Sequence, residues 1–153
     1  MEKSATIRRE QAVHINAKNA MNVARDLIGV PFKDYGRDSK SGLDCWGLAI
    51  EFFSRLGLQL EDPVSMYDSD WHKKFNLIGM NQHLYFDRAE VPIPFSVVAM
   101  QIQSNVVNHL AICLDLQYVL NTDKTVGVHM IRRFAIRPFI RYYLKPRNLV
   151  VHA

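Results

Sequence analysis

The sequence predicts an α+β domain, with helices packed on an antiparallel β-sheet, and three observations carry that prediction. The first 57 residues hold two segments of helical apolar spacing, at 11–28 and at 45–56. From Ser96 onward the texture changes to short β-rich runs separated by turn-forming polar pairs. The chain has 153 residues, 48% hydrophobic and 22% charged, which suits one domain burying its own core. Helices first and a strand meander after them form an α+β order rather than an alternating α/β one.

The elements follow in order. Residues 11–28 place Ala17, Ala20, Met21, Ala24, Leu27 and Ile28 on one helical face, and Gly29 and Pro31 stop the helix. The polar, glycine-bearing stretch 33–43 reads as a loop. A second helix runs from about Cys45 to Leu56 and buries Leu48, Ala49, Phe52, Phe53 and Leu56, with Asp44 as N-cap and Gly57 as terminator. Residues 58–95 read as irregular, with Pro63, Pro92 and Pro94 and a short helix near Trp71 to Leu77. Strands are expected at Val97 to Ile102, His109 to Leu114, Gln117 to Asn121, Val126 to Ile131 and Pro138 to Leu144. There is no internal repeat, low-complexity segment or interdomain linker.

Nineteen Lys and Arg against fifteen Asp and Glu give a net charge of +4 and a pI near 9.2. That balance suits an anionic partner such as an acidic wall polymer, and equally an ordinary solubility charge. The densest basic stretch, Arg132 to Arg147, alternates with aromatic and aliphatic residues, as a half-buried strand with a basic outer face does. It does not read as a nucleic-acid stripe, and no nucleic-acid partner is expected. Cys45 and Cys113 form neither a disulfide framework nor a zinc pattern, so no metal or cofactor is expected. The N-terminus lacks the apolar core of a secretory signal, and no run approaches the ~18 apolar residues of a membrane span. The expectation is a chain without a membrane partner, in a virion or a cytoplasm.

The most informative stretch is Gly42-Leu-Asp-Cys-Trp-Gly-Leu48, which sets Cys45 at the first position of a helix. Unpaired N–H groups and the positive helix end favour an anion there and lower a thiol's pKa, so Cys45 is a candidate nucleophile. The competing reading is an inert core thiol. Gly47 allows a close approach by a ligand or a neighbouring strand. A nucleophilic cysteine needs a base brought near in space, and His109, opening the apolar run His109-Leu-Ala-Ile-Cys-Leu114, is rigidly placed at a sheet end. His14, His72, His83 and His152 read as solvent-facing. Cys113 shares a strand face with His109 and Ala111 and reads as packing.

These residues resemble the NlpC/P60 family of cysteine peptidases, four motifs matching in order over roughly residues 20–133. Ala24-Arg-Asp-Leu-Ile-Gly-Val-Pro-Phe32 is similar to the helix leading into that family's Gly-x-Pro-Tyr turn. Asp44-Cys-Trp-Gly-Leu48, with Gly36-Arg37-Asp38 before it, resembles the Asp-Cys-Ser-Gly-Leu nucleophile motif. Gly57-Leu-Gln-Leu-Glu-Asp-Pro63 resembles the segment after the nucleophile helix, and Asn108-His-Leu-Ala-Ile-Cys-Leu-Asp115 the strand that carries the base. The Trp46 variant looks most like the phage-tail members.

The resemblance implies a papain-like fold over a single domain, 1–153, with Cys45 as nucleophile and His109 as general base. Tyr118-Val-Leu-Asn-Thr122 resembles the family's Phe-Leu-His-Thr, which puts Asn121 in the third, imidazole-orienting slot, with His129 as its rival. The implied substrate contacts are Asp44, Tyr35 and Trp46. Asp44 corresponds to an anchor for the substrate amine or serves as the helix cap. Trp46 replaces a substrate-holding serine, and Phe32 replaces a tyrosine whose hydroxyl Tyr35 would supply. The implied activity is hydrolysis of an amide bond in peptidoglycan stem peptides, between D-glutamate and a diamino acid, with other phage-tail proteins as partners. The alternatives are a non-catalytic tail-assembly or binding module on the same fold, or a thiol amidase or acyltransferase with an intracellular substrate.

Overall fold

The computed structural model describes residues 11–62 and 86–153. The short helix expected near Trp71 to Leu77, with Pro63, His72 and His83, lies outside the described residues.

Strand β1 (Val13–Asn16) opens the described chain and leads directly into α1 (Ala17–Leu27). The helix starts at residue 17, not 11, because the Asn16 side chain caps it, accepting from the N–H groups of Lys18 and Asn19. Residues 13–16 instead pair in parallel with β10 (Leu149–His152). His14 therefore sits on a strand, exposed as expected, with its ring stacked on His152. Ala20, Ala24 and Leu27 form the buried face of α1, as the spacing predicts.

The 33–43 loop contains a two-residue ribbon, β2 (Arg37–Asp38) against β3 (Gly42–Leu43). Helix α2 (Cys45–Arg55) follows at once and buries Leu48, Ala49, Phe52 and Phe53 completely or nearly so. Gly47 answers to a neighbouring backbone: a β-carbon there would overlap the carbonyl oxygen of Gly36.

Among the described residues the main sheet has six strands: β4 (Phe86–Ala89), β5 (Val97–Met100), β6 (His109–Cys113), β7 (Tyr118–Asp123), β8 (Gly127–Arg132) and β9 (Ile140–Pro146), in spatial order β4-β9-β5-β6-β7-β8. All its pairings are antiparallel. Two aspartates set the hairpins. Asp115 accepts from the N–H groups of Gln117 and Tyr118, and Asp123 from those of Thr125 and Val126. The sheet is a meander only from β5 to β8. After β8 the chain turns through α3 (Arg133–Ile136) and a 3₁₀ turn (Arg137–Phe139), and β9 returns to the free edge of β5. Arg132 to Phe139 is thus a strand end and a helical turn, not part of one basic-faced strand, and β4 lies within the segment expected to be irregular.

Alternation gives the sheet two apolar faces. Ala99, Leu110, Ile112, Leu120, Val128 and Leu144 face the helices in the main core. Val98, Met100, Ala111, Cys113, Val119 and Tyr143 form a smaller cluster closed by Ile136. Cys113 packs there as expected, its thiol donating to the Asp115 carbonyl.

Candidate active site

Cys45 opens α2 and His109 opens β6, two elements packed against each other. Asp44 caps α2 by accepting from the Gly47 N–H at 2.7 Å, which fixes Cys45 as the first helical residue. Asp44 has no exposed surface. Its oxygens also accept from the Tyr35 N–H at 3.0 Å and from Arg37 Nη1 at 2.8 Å. Arg37 holds Asp62 through its other nitrogens, Nε at 3.0 Å and Nη2 at 3.1 Å, and donates to the Gly36 carbonyl. One guanidinium therefore ties the loop, the helix cap and the segment after α2 together. A charge buried in this way is tolerated because it is paired and fully hydrogen-bonded.

Cys45 is completely buried. Burial, and secondarily the Asp44 carboxylate, push its thiol well above the usual range. Backbone hydrogen bonding from Leu110, the positive charge of Arg37 and the backbone of Trp46 oppose the rise without cancelling it. This corrects the expectation of a lowered thiol pKa. A helix end contributes about 0.3–1 kcal/mol to an anion, whereas removing a charge from water shifts pKa values by up to ~3–5 units. The helix position is as expected, and burial outweighs the pull of the helix end.

Leu110, whose backbone reaches the Cys45 sulfur, directly follows His109. His109 Nε2 lies 2.7 Å from Asn121 Oδ1. A carbonyl oxygen only accepts, so in this contact Nε2 is the donor. The rival residue is directly opposite Asn121 across the β7–β8 ladder. His129 Nδ1 contacts the Gly127 carbonyl at 2.7 Å, and its Nε2 lies 3.9 Å from Asp123.

Beside His109 lies a cavity of about 460 Å³ lined by Phe32, Asn108, Asn121, Thr122 and Lys124, among others. The Asn108 amide bridges both backbone groups of Ile102, which shapes the loop at the cavity's edge. Thr122 is buried, and its hydroxyl has no hydrogen-bond partner among the described residues.

The residues expected to contact substrate are placed differently. Trp46 is 9% exposed and donates its indole N–H to the Glu61 carbonyl at 3.0 Å, bracing the segment after α2. Tyr35 is half-buried with φ +62°, held by its N–H on Asp44. Phe32 lines the cavity directly. The sequence reading missed Arg37 and Asp62 as the frame of the cap. An arginine seven residues before a helix-capping aspartate, with Gly42 between, was the available signal. Among the described residues no cluster of His, Cys, Asp or Glu could hold a metal ion.

No family model and no curated protein matches the sequence. Solved structures do match the fold. The NlpC/P60 domain of the peptidoglycan hydrolase SagA superposes with a TM-score of 0.60 at 14% identity, over 86% of this chain and 99% of that one. A protein described as similar to lipoprotein, of the NLP/P60 family, from Staphylococcus aureus subsp. aureus Mu50 gives a TM-score of 0.54 at 16% identity. That match covers 90% of this chain and 42% of the other. The chain therefore has the α+β fold of NlpC/P60 domains.

Proposed function

We propose that the chain is a cysteine peptidase of the NlpC/P60 family that hydrolyses an amide bond in peptidoglycan stem peptides, as part of a phage tail or at a cell wall. The observation that carries this reading is a cysteine opening α2 whose sulfur meets the backbone of Leu110, with the preceding residue of β6, His109, paired to Asn121 at 2.7 Å, in a fold shared with the NlpC/P60 domain of a peptidoglycan hydrolase.

The chemistry is acyl transfer. Cys45 Sγ attacks the scissile carbonyl carbon while its proton passes to the His109 imidazole. Asn121 holds the imidazole and its tautomer, though an amide adds no charge to stabilise the imidazolium. The Cys45 N–H at the helix start donates to the developing oxyanion. The imidazolium then protonates the leaving amine, the C–N bond breaks and a thioester remains. Water, deprotonated by His109, cleaves that thioester and regenerates the thiol. Burial favours the neutral thiol, so proton transfer accompanies attack instead of preceding it. The scissile bond assigned by likeness is the D-glutamyl–diamino acid bond.

Digestion of purified muropeptides tests the reading by mass spectrometry of the products. Stem-peptide fragments formed by the wild type and absent with Cys45→Ala support it, and their masses give the bond. Intact muropeptides with both chains, beside an active NlpC/P60 domain as control, overturn it.

The complete burial of Cys45 favours a second reading, a non-catalytic tail-assembly or binding module on the same fold. Alkylation separates the two. A peptidase labels at Cys45 faster in the presence of an electrophilic stem-peptide analogue than with iodoacetamide alone, whereas a binding module shows no selective labelling.

A further inference from the structure

The basic stretch near the C-terminus has no part in the proposed reaction, yet it builds a cavity. About 470 Å³ of space lies over the smaller apolar face of the sheet, lined by Arg133, Arg137, Arg141, Phe134, Tyr143 and Glu90, among others. The three arginines have no acidic partner within ion-pair distance among the described residues. Glu90 is taken by Arg88 at 3.1 Å.

Two of the guanidiniums are fixed by backbone carbonyls. Arg133 Nε donates to Leu116 at 3.1 Å, and Arg141 Nη1 donates to Pro138 at 3.0 Å and to Ile140 at 3.3 Å. Such contacts hold a fork in place and leave its charge uncompensated, which suits bidentate recognition of an oxyanion. Phe134 stands 79% exposed at the same cavity, a flat apolar surface beside three positive charges. The site adjoins the Cys113 end of β6, about 13 Å along the strand from His109 at ~3.3 Å per residue.

We propose that this cavity is an anion-binding site for the phosphodiester groups of an acidic wall polymer, with the C–H groups of its polyol units resting on Phe134. The arginine geometry carries the anion, while the choice of polymer rests on the wall-directed reading above. Such a site would hold the chain on the wall without entering the chemistry at Cys45.

Calorimetric titration of the full chain with a poly(glycerol phosphate) oligomer tests this. Saturable binding is expected, weaker at higher salt. It should fall about tenfold in Arg137→Gln and again in Arg141→Gln, the loss of one charge-assisted hydrogen bond each. Both side chains are exposed, so the variants should fold, and their cleavage of small soluble muropeptides should be unchanged. No binding at millimolar oligomer, or equal binding by wild type and variants, overturns the site. Tighter binding of a single-stranded oligonucleotide of equal charge through the same arginines overturns the polymer assignment. The titration needs no turnover, so its failure and a failure of the peptidase reading are separately visible.

Discussion

Arg37 and Asp44 offer a quantitative test of how the site is held. Arg37→Gln removes the 2.8 Å contact to a carboxylate with no exposed surface, which keeps the N–H groups of Tyr35 and Gly47 as donors but loses its cationic partner. Breaking one partner of a buried pair costs about 3–5 kcal/mol. Arg37 is 21% exposed, so the low end, about 3 kcal/mol, is expected. In a domain of this size that lowers Tm by about 6–12 °C, at roughly 2–4 °C per kcal/mol. Asp44→Asn keeps a capping oxygen for Gly47 and removes the buried charge. In that background Arg37→Gln loses the surface pair with Asp62, worth less than about 1 kcal/mol. A double-mutant cycle by urea unfolding should therefore give a coupling of about 2 kcal/mol with unchanged m-values. Additivity within ~0.5 kcal/mol would refute the claim that Arg37 chiefly neutralises Asp44.

Other outcomes follow from the same contacts. His109→Ala should lower kcat/KM on muropeptides by about 10²–10⁴-fold, the usual contribution of a general base, with Asn121→Ala lowering it less and His129→Ala leaving it near wild type. Gly47→Ala should destabilise the fold by about 1–3 kcal/mol or more in urea unfolding, because its β-carbon meets the Gly36 carbonyl. Thr122→Val removes a buried, unpartnered hydroxyl and should raise Tm by a few degrees, equivalent to about 1 kcal/mol. Cys113, pushed up to about 11 by burial from the ordinary 9.0 of a thiol, keeps its proton in the folded chain after the unfolded thiol has lost it. Stability is then lost as pH rises from 9 toward 11, by about 1.4 kcal/mol per pH unit. Cys113→Ala should show a shallower alkaline decline than the wild type.

The α+β class and the helix carrying Cys45 were legible because both rest on local signals, a cap, a terminator and an apolar period. So were the meander strands, to within a few residues. Elements made by distant pairing were not. Val13–Asn16 reads as the start of a helix until Leu149–His152 is beside it, and Phe86–Ala89 pairs with β9, about 55 residues on. At the site, the spacing of His109 and Asn121 could be counted along the chain, and the structure brings their side chains together. The state of Cys45 could not be read in this way. Sequence shows the helix end that favours a thiolate but not the depth of burial that opposes it. Nor does it show that Asp44 and Trp46 are engaged by Arg37 and the Glu61 carbonyl.

Acid-quenched mass spectrometry of the intact chain, mixed in excess with a purified stem peptide, tests the central claim most directly. The account predicts a mass increase equal to the acyl portion of the peptide, mapping to the Cys45-containing fragment, with stoichiometric release of the amine portion. Cys45→Ala should show neither. Amine release that persists in Cys45→Ala, or an acyl group mapping to Cys113, would contradict it.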